Sequence, residues 1–377
     1  MKTRVRLFSF LLVALAISFP AAARAQTAQP SLSTVRPDSI QDEGYWGYMA
    51  NAPANVIHGG VLQGKVVVMG NPLLWEPLTV MLSCKTGKAD LTTTTDVTGQ
   101  YAITHVNLPR AYTTENDALG TQMLQHYEGC AVQAPLAGYH SSSVTLTQKV
   151  LRDQPVLDNI VLTPDEHAPG TAISTMGESA SPDAVKAFAR AHDEWLHRDP
   201  AGAQKDLEAA VQTDPQFAEA WYLLGRLQLS SDIAAATASF TKAQAADPKF
   251  VSPCAYLAGI AIDQKNWPEA DRWTTRALQL DPAGTARIWY YAAEAEYRMG
   301  KNEAARTSAT NAMAMDPDHN WPRAEDVLAL TLLDKGDYTE ALAHLRNTLS
   351  YVSSGPEADL IKRQIDFVQQ QSASAKK

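Results

Sequence analysis

The chain has 377 residues, 45% of them hydrophobic and 19% charged, which is ordinary for a folded protein and long enough for two domains joined by linkers. A formal net charge of −9, with no block of lysines or arginines beyond the first few residues, argues against a surface built to neutralise nucleic-acid phosphates. Acidity of this kind favours solubility and selects no particular partner.

Residues 1–25 have the organisation of a cleavable signal peptide. Lys2, Arg4 and Arg6 make a positive start, Leu7 to Phe19 is an uncharged apolar run, Pro20 breaks it, and Ala23-Arg24-Ala25 is a small-x-small cleavage pattern. The apolar run is short for a membrane span, and an uncleaved anchor is the alternative. No cysteine near the site suggests a lipid anchor, and no arginine pair suggests twin-arginine export. The mature chain is therefore expected to start at Gln26, to lack a transmembrane segment, and to reside in the periplasm or outside the cell. Residues 26–56, rich in Pro, Ser, Ala, Asn and Gln, read as a flexible leader. Their Tyr45-Trp46-Gly47-Tyr48 cluster suits either a segment docked on a folded neighbour or part of a partly ordered tail.

Residues 57–164 carry β-type signals. Gly64 to Met69 is β-branched and apolar. Leu78, Val80, Leu82 and Cys84 alternate with Thr79, Met81 and Ser83, the period of a half-buried strand. A threonine-rich run leads into a turn at Asp96-Val97-Thr98-Gly99, and Tyr101 and Ile103 resume the alternation. Cys130, Val132 and Ala134 form another inward set, and Ser143 to Thr147 and Leu157 to Leu162 complete about seven short strands.

The succession Gly64-Lys65-Val66-Val67, Pro77-Leu78-Thr79-Val80, Thr95-Asp96-Val97-Thr98-Gly99-Gln100-Tyr101 and Ala137-Gly138-Tyr139 resembles the carboxypeptidase regulatory-like domain, a family similar in fold to transthyretin. The resemblance implies a seven-stranded Greek-key β-sandwich without hydrolytic activity of its own. An insertion over residues 107–128 departs from the family pattern.

Of the three cysteines, parity along the strands points Cys84 and Cys130 inward, and an exported chain keeps disulfides. A Cys84–Cys130 bridge between the two sheets suits this arrangement. It would close a loop of about 47 residues and contribute at most about 4 kcal/mol. One thiol is then left over. Residues 165–183 are small and polar and read as a linker.

Beyond the linker the signal is helical and repetitive. Asp-Pro pairs end at Pro215, Pro248, Pro282 and Pro317, spaced 33, 34 and 35 residues apart (248−215, 282−248, 317−282). Trp221, Leu224 and Gly225 followed by Ala236, Phe240, Ala243 and Pro248 resemble the tetratricopeptide repeat. Trp289, Ala293, Ala305, Ala312 and Pro317, and Leu257, Ala270, Ala277 and Pro282, repeat the scheme. About five hairpins are expected over residues 184–354, with a capping helix and tail over 355–377. Cys254 stands where neighbouring repeats have Trp221 and Trp289, so it reads as a packing residue, with an interchain bridge as the alternative.

No H-E-x-x-H, C-x-x-C, G-x-S-x-G or phosphate-binding glycine loop occurs, and the histidines are scattered, so neither an enzyme nor a metal or cofactor site is expected. The repeat resemblance implies a concave groove lined by the first helix of each hairpin. Counted from the motif anchors, its positions hold Phe188, His192, Trp195, Tyr222, Arg226, Arg287, Tyr290, Glu294, Tyr297, Arg298 and Arg323. Aromatic and arginine side chains suit a protein or peptide partner of acidic or apolar character, although some of these rings would instead pack between repeats. The expected role is thus an adaptor. The alternative is a glycan- or cell-surface-binding protein that uses the sandwich, through exposed aromatics such as Tyr112, Tyr127 and Tyr139.

Overall fold

A computed structural model of the chain describes residues 60–70, 73–84, 89–106, 127–153, 156–316, 319–352 and 354–375. The expected signal peptide, the leader with its Tyr45–Tyr48 cluster, Tyr112 and most of the 107–128 insertion lie outside the described residues.

Among the described residues, eight strands, rather than the expected seven or so, form the N-terminal part: β1 (Gly60–Val68), β2 (Thr79–Ser83), β3 (Ala89–Thr94), β4 (Gln100–Val106), β5 (Ala131–Gln133), β6 (Tyr139–Ser141), β7 (Val144–Thr145) and β8 (Ile160–Pro164). They make two four-stranded sheets, ordered β4-β1-β8-β6 and β3-β2-β5-β7, with β1 and β8 parallel and the other pairs antiparallel. The extra strand arises because the chain changes sheets at Ser142–Ser143. β6 pairs with β8 in one sheet and β7 with β5 in the other. The Ser142 hydroxyl accepts from Val161 N–H at 2.8 Å and holds that crossing.

Period-two alternation places Leu62, Val66 and Val68 of β1, Val80 and Leu82 of β2, Ile103, Val132, Ile160 and Leu162 in one core shared by both sheets. The turn before β4 is fixed by Asp96, whose carboxylate accepts from Thr98 N–H (2.8 Å) and Gln100 N–H (2.9 Å). Gly99 adopts φ 81°, which L side chains avoid. Tyr101 then lies beneath Gly64, where an added Cβ would sit 2.4 Å from the phenol oxygen. Cys84 and Cys130 are joined, with Cα atoms 4.2 Å apart. The bridge lies within one sheet and not between the two: the β2–β5 register pairs Ser83 with Ala131, which brings the next residues, 84 and 130, face to face. A short helix, α1 (Gln148–Asp153), precedes β8.

The C-terminal part consists of helical hairpins. α2 (Pro182–Leu196) pairs with α3 (Pro200–Thr213), α4 (Ala218–Gln228) with α5 (Ile233–Ala246), α6 (Ser252–Asp263) with α7 (Trp267–Leu280), α8 (Ala286–Arg298) with α9 (Asn302–Ala314), and α10 (Arg323–Asp334) with α11 (Tyr338–Tyr351). The second helices α3, α5, α7 and α11 open on Asp199, Asp232, Asn266 and Asp337, whose side chains accept the N–H groups of Gly202, Ala235, Glu269 and Glu340. The Asp-Pro pairs end α3, α5 and α7 at Asp214, Asp247 and Asp281, because proline cannot continue the helix. Ala203, Ala236, Ala243, Ala270 and Ala305 are fully buried where paired helices approach. Trp221 and Trp289 each donate their indole N–H to a carbonyl six residues earlier, Pro215 O at 3.0 Å and Ala283 O at 2.8 Å. Cys254, at the equivalent place in the intervening hairpin, is a buried free thiol against Gln244 Oε1.

A last helix, α12 (Pro356–Ala375), covers the end of the array with Ile361, Ile365 and Val368 packed on Ala329 and Leu345. Phe367 points outward. Among the described residues no helix is long and apolar enough to cross a membrane.

Candidate functional site

The helices α2 and α4, the first of their hairpins, carry five of the groove residues expected from sequence. Phe188 and His192 lie one turn apart on α2, with Trp195 at its end. Tyr222 and Arg226 lie one turn apart on α4. All five engage a segment of the same chain, the β1–β2 connection Leu73–Glu76.

Trp75 is the centre of that contact. Its ring lies 5.5 Å from Phe188, 5.2 Å from His192 in an edge-on arrangement, and 6.3 Å from Trp195. It is buried and belongs to the helical core, whereas its neighbour Leu74 belongs to the β core. His192 Nε2 is 3.1 Å from Leu74 O. A carbonyl only accepts, so this nitrogen carries the proton. Burial pulls the His192 pKa below its ordinary value and favours the neutral ring. Glu76 completes the grip. Its carboxylate accepts from Tyr222 Oη at 2.5 Å and pairs with Arg226 at 2.6 Å. Arg226 is mostly buried in this pair, which strengthens the charge-assisted contact.

A second strip of chain lies alongside. The expected linker is anchored over Thr171–Ser174 and is not a free tether. Thr171 N–H donates to Lys249 O and Val251 N–H to Thr171 O, both at 2.9 Å. Ser252 Oγ donates to Ala172 O at 2.7 Å. Ser174 donates through its hydroxyl to Asp247 Oδ2 (2.7 Å) and through its N–H to Glu219 Oε2 (3.2 Å). The Asp-Pro carboxylate that ends α5 therefore also holds the linker.

Glu219 is buried at this junction, and burial pushes its carboxyl up to about 8. The charges of Glu76 and Asp247 add to the rise, while the Ser174 hydrogen bond and Arg226 oppose it. A partly open pocket of about 90 Å³, lined by Leu74, Trp75, Glu76, Glu219, Tyr222 and Leu223 among others, adjoins the loop.

The remaining six expected positions lie on α8 and α10. Tyr290 and Glu294 are buried. Tyr290 packs in tilted contacts against Tyr291 and Trp321, with centroids 5.7 and 5.9 Å away. Glu294 pairs with Arg298 at 2.9 Å, and the Arg298 guanidinium lies 5.6 Å from the Trp267 ring centroid. Arg287 lies over Tyr256 at 5.3 Å. Arg287, Tyr297, Arg298 and Arg323 are half-buried and form an aromatic and cationic stretch at this end of the groove.

Sequence reasoning missed Leu74, Trp75, Glu76 and Glu219. The signal for the loop was present: three large apolar residues, Leu73-Leu74-Trp75, sit between Pro72 and Pro77 and fit no strand period. On the β side, Tyr127 is buried in the core and not exposed, and Tyr139 is half-buried with its hydroxyl donating to Ile173 O at 3.2 Å. These two rings therefore offer no exposed stacking platform for a glycan. Among the described residues no group of three or more His, Cys, Asp or Glu side chains is placed to hold a metal ion.

Residues 188–250 match the tetratricopeptide repeat family. No curated protein matches the chain in sequence. Among solved structures, YrrB, described as a TPR protein with an unusual peptide-binding site, aligns with a TM-score of 0.43 and 18% identity over 48% of this chain and 92% of its own. MamA of Desulfovibrio magneticus RS-1 aligns at 0.41 and 17% identity over 47% and 98% of the two chains. PilW, a widely conserved type IV pilus biogenesis factor, aligns at 0.41 and 18% identity over 52% and 91%.

Proposed function

We propose that this chain is an exported adaptor whose repeat groove binds an extended segment of a protein partner. The observation that carries the reading is the grip on Leu73–Glu76: a ring seated among Phe188, His192 and Trp195 and a carboxylate held by Tyr222 and Arg226. A surface that holds one extended segment by side-chain stacking and a charge pair has the chemistry to hold another. The half-buried Arg287, Tyr297, Arg298 and Arg323 continue that chemistry along α8 and α10. The β part supports the reading as a carboxypeptidase regulatory-like sandwich that serves as spacer or second docking module. The charged, apolar and small-residue order of residues 1–25 supports export.

Site-specific photo-crosslinking in the native cell tests this. A photoreactive residue at position 287 or 297 is expected to give discrete protein adducts, and one at exposed Thr310 on the outer helix α9 is expected to give none. Equal labelling from both faces, or none from the groove, removes the adaptor reading.

A further inference from the structure

Among the described residues the array buries three glutamates, Glu219, Glu294 and Glu325, and the first differs from the other two. Glu294 pairs with Arg298 at 2.9 Å, and Glu325 meets His344 at 2.9 Å and Asn347 at 2.8 Å. Glu219 is only 7% exposed, yet among the described residues its carboxyl accepts a single hydrogen bond, from Ser174 N–H at 3.2 Å. Arg226, the cation that acts on it, is engaged by Glu76 at 2.6 Å. Asp247, the third carboxyl of the junction, is satisfied by Ser174 Oγ at 2.7 Å and Lys249 N–H at 3.0 Å.

This under-matched carboxyl lines the partly open pocket of about 90 Å³ between the β1–β2 connection, the linker and α4. Leu78, Leu136, Ile173 and Leu223 supply apolar walls, and Trp75 and Tyr222 supply aromatic ones. The charged groups that act on Glu219 are Glu76 from the loop, Asp247 at the end of α5 and Arg226 on α4 itself. The linker adds only Ser174, and α6 only the Ser252 hydroxyl, which already donates to Ala172 O. Three carboxyls against one guanidinium leave the junction short of positive charge. Burial without a cation of its own keeps Glu219 protonated at neutral pH. A ligand cation can take the place of that proton, and aromatic walls favour an ammonium. An apolar cavity of about 150 Å³ accepts benzene, so a pocket of this size suits a chain on the order of four heavy atoms.

We propose that this pocket binds a primary ammonium carried on a short apolar chain, with Glu219 as its counter-ion and the Trp75 and Tyr222 rings among its walls. On binding, the Glu219 carboxyl releases its proton to solvent while the ammonium keeps its own, so one cation enters for each proton that leaves. The ligand touches the loop, the linker and α4 together, and its binding stabilises the contact between the two parts of the chain. The site is independent of what the groove binds along α8 and α10.

The test titrates n-butylamine into the full chain and reads binding by saturation-transfer difference NMR, with n-butanol as the neutral isostere. The amine stays charged throughout, and Glu219 must give up a proton to receive it. Between about pH 5.5 and 7.5, below the Glu219 value of about 8, the Kd of the amine is therefore expected to fall nearly tenfold per pH unit. An amine held by ordinary surface carboxylates, which ionise near pH 4, shows no such slope. At about pH 7.5 n-butanol is expected to bind at least about tenfold more weakly than the amine. Glu219→Gln, with native helical circular dichroism, is expected to weaken the amine by about tenfold or more and to abolish the slope. Equal affinity for amine and alcohol, a Kd indifferent to pH, no transfer to the amine, or indifference to Glu219→Gln overturns the proposal. Should the variant not fold, the wild-type slope and the amine-to-alcohol ratio decide the question by themselves.

Discussion

At the residue scale the most consequential side chain is Glu219, which the sequence offers as an ordinary helix glutamate. Its position under the loop and the linker strips it of water, and the neighbouring charges of Glu76 and Asp247 reinforce the effect. The sign follows from linkage. The folded-state pKa, about 8, exceeds the ordinary 4.5, so the folded chain binds the extra proton. That contribution is complete below about 4.5 and is lost as pH rises toward 8. His192 acts oppositely at lower pH, because its folded value lies below 6.5 and its contribution is lost as pH falls below that point. Of these two groups, Glu219 acts alone between pH 6.5 and 8. Stability over that interval is expected to fall by on the order of 1 kcal/mol per pH unit, and Glu219→Gln is expected to flatten the slope. Urea denaturation at several pH values checks both. A wild-type slope unchanged by Glu219→Gln would assign the pH dependence elsewhere.

At the scale of elements, hairpin closeness depends on residues without side-chain bulk. Gly225 of α4 faces Phe240 of α5, and a Cβ there would lie 2.9 Å from the ring. Two effects compete in Gly225→Ala. Alanine improves helix propensity by about 1 kcal/mol, while overpacking a filled interface costs about 1–3 kcal/mol. Phe240 is fully buried and stacked on Tyr256 at 4.9 Å, so it has little room to yield and the steric cost wins. The variant is expected to be destabilised in equilibrium denaturation, and a net gain in stability would show that the hairpin relaxes freely. The hairpins were the most legible elements in the sequence, because Asp-Pro stops, Asp caps and small residues act locally and recur. The strands were legible in kind but not in pairing. Alternation marked β2 and β5 correctly as half-buried, but it could not say that they are neighbours in one sheet, which is why the Cys84–Cys130 bridge was assigned between sheets. The sheet change at Ser142 depends on a hydroxyl contact with Val161, a nonlocal partner invisible to any periodicity.

At the scale of the whole molecule, the groove residues were identifiable from their repeat positions, but what they touch was not. Phe188, His192, Trp195, Tyr222 and Arg226 read from sequence either as partner-facing or, for some of the rings, as packed between repeats, and they meet a loop more than 100 positions away in sequence. No local signal records such a meeting. It needs a β domain to present Trp75 and an anchored linker to set the distance. The linker's small residues likewise record no partner locally, and Thr171, Ala172 and Ser174 find backbone and carboxylate partners on α4–α6 and their connections. The two parts of the chain therefore meet at two places, a strip of linker and a plug in the groove.

The most direct measurement of that arrangement places p-benzoylphenylalanine at position 75 of the otherwise native full chain and maps the photoproducts by mass spectrometry. The structure predicts an intramolecular adduct on the α2 segment containing Phe188, His192 and Trp195, obtained equally at low protein concentration. Adducts confined to the β part, or formed only between molecules, would contradict it.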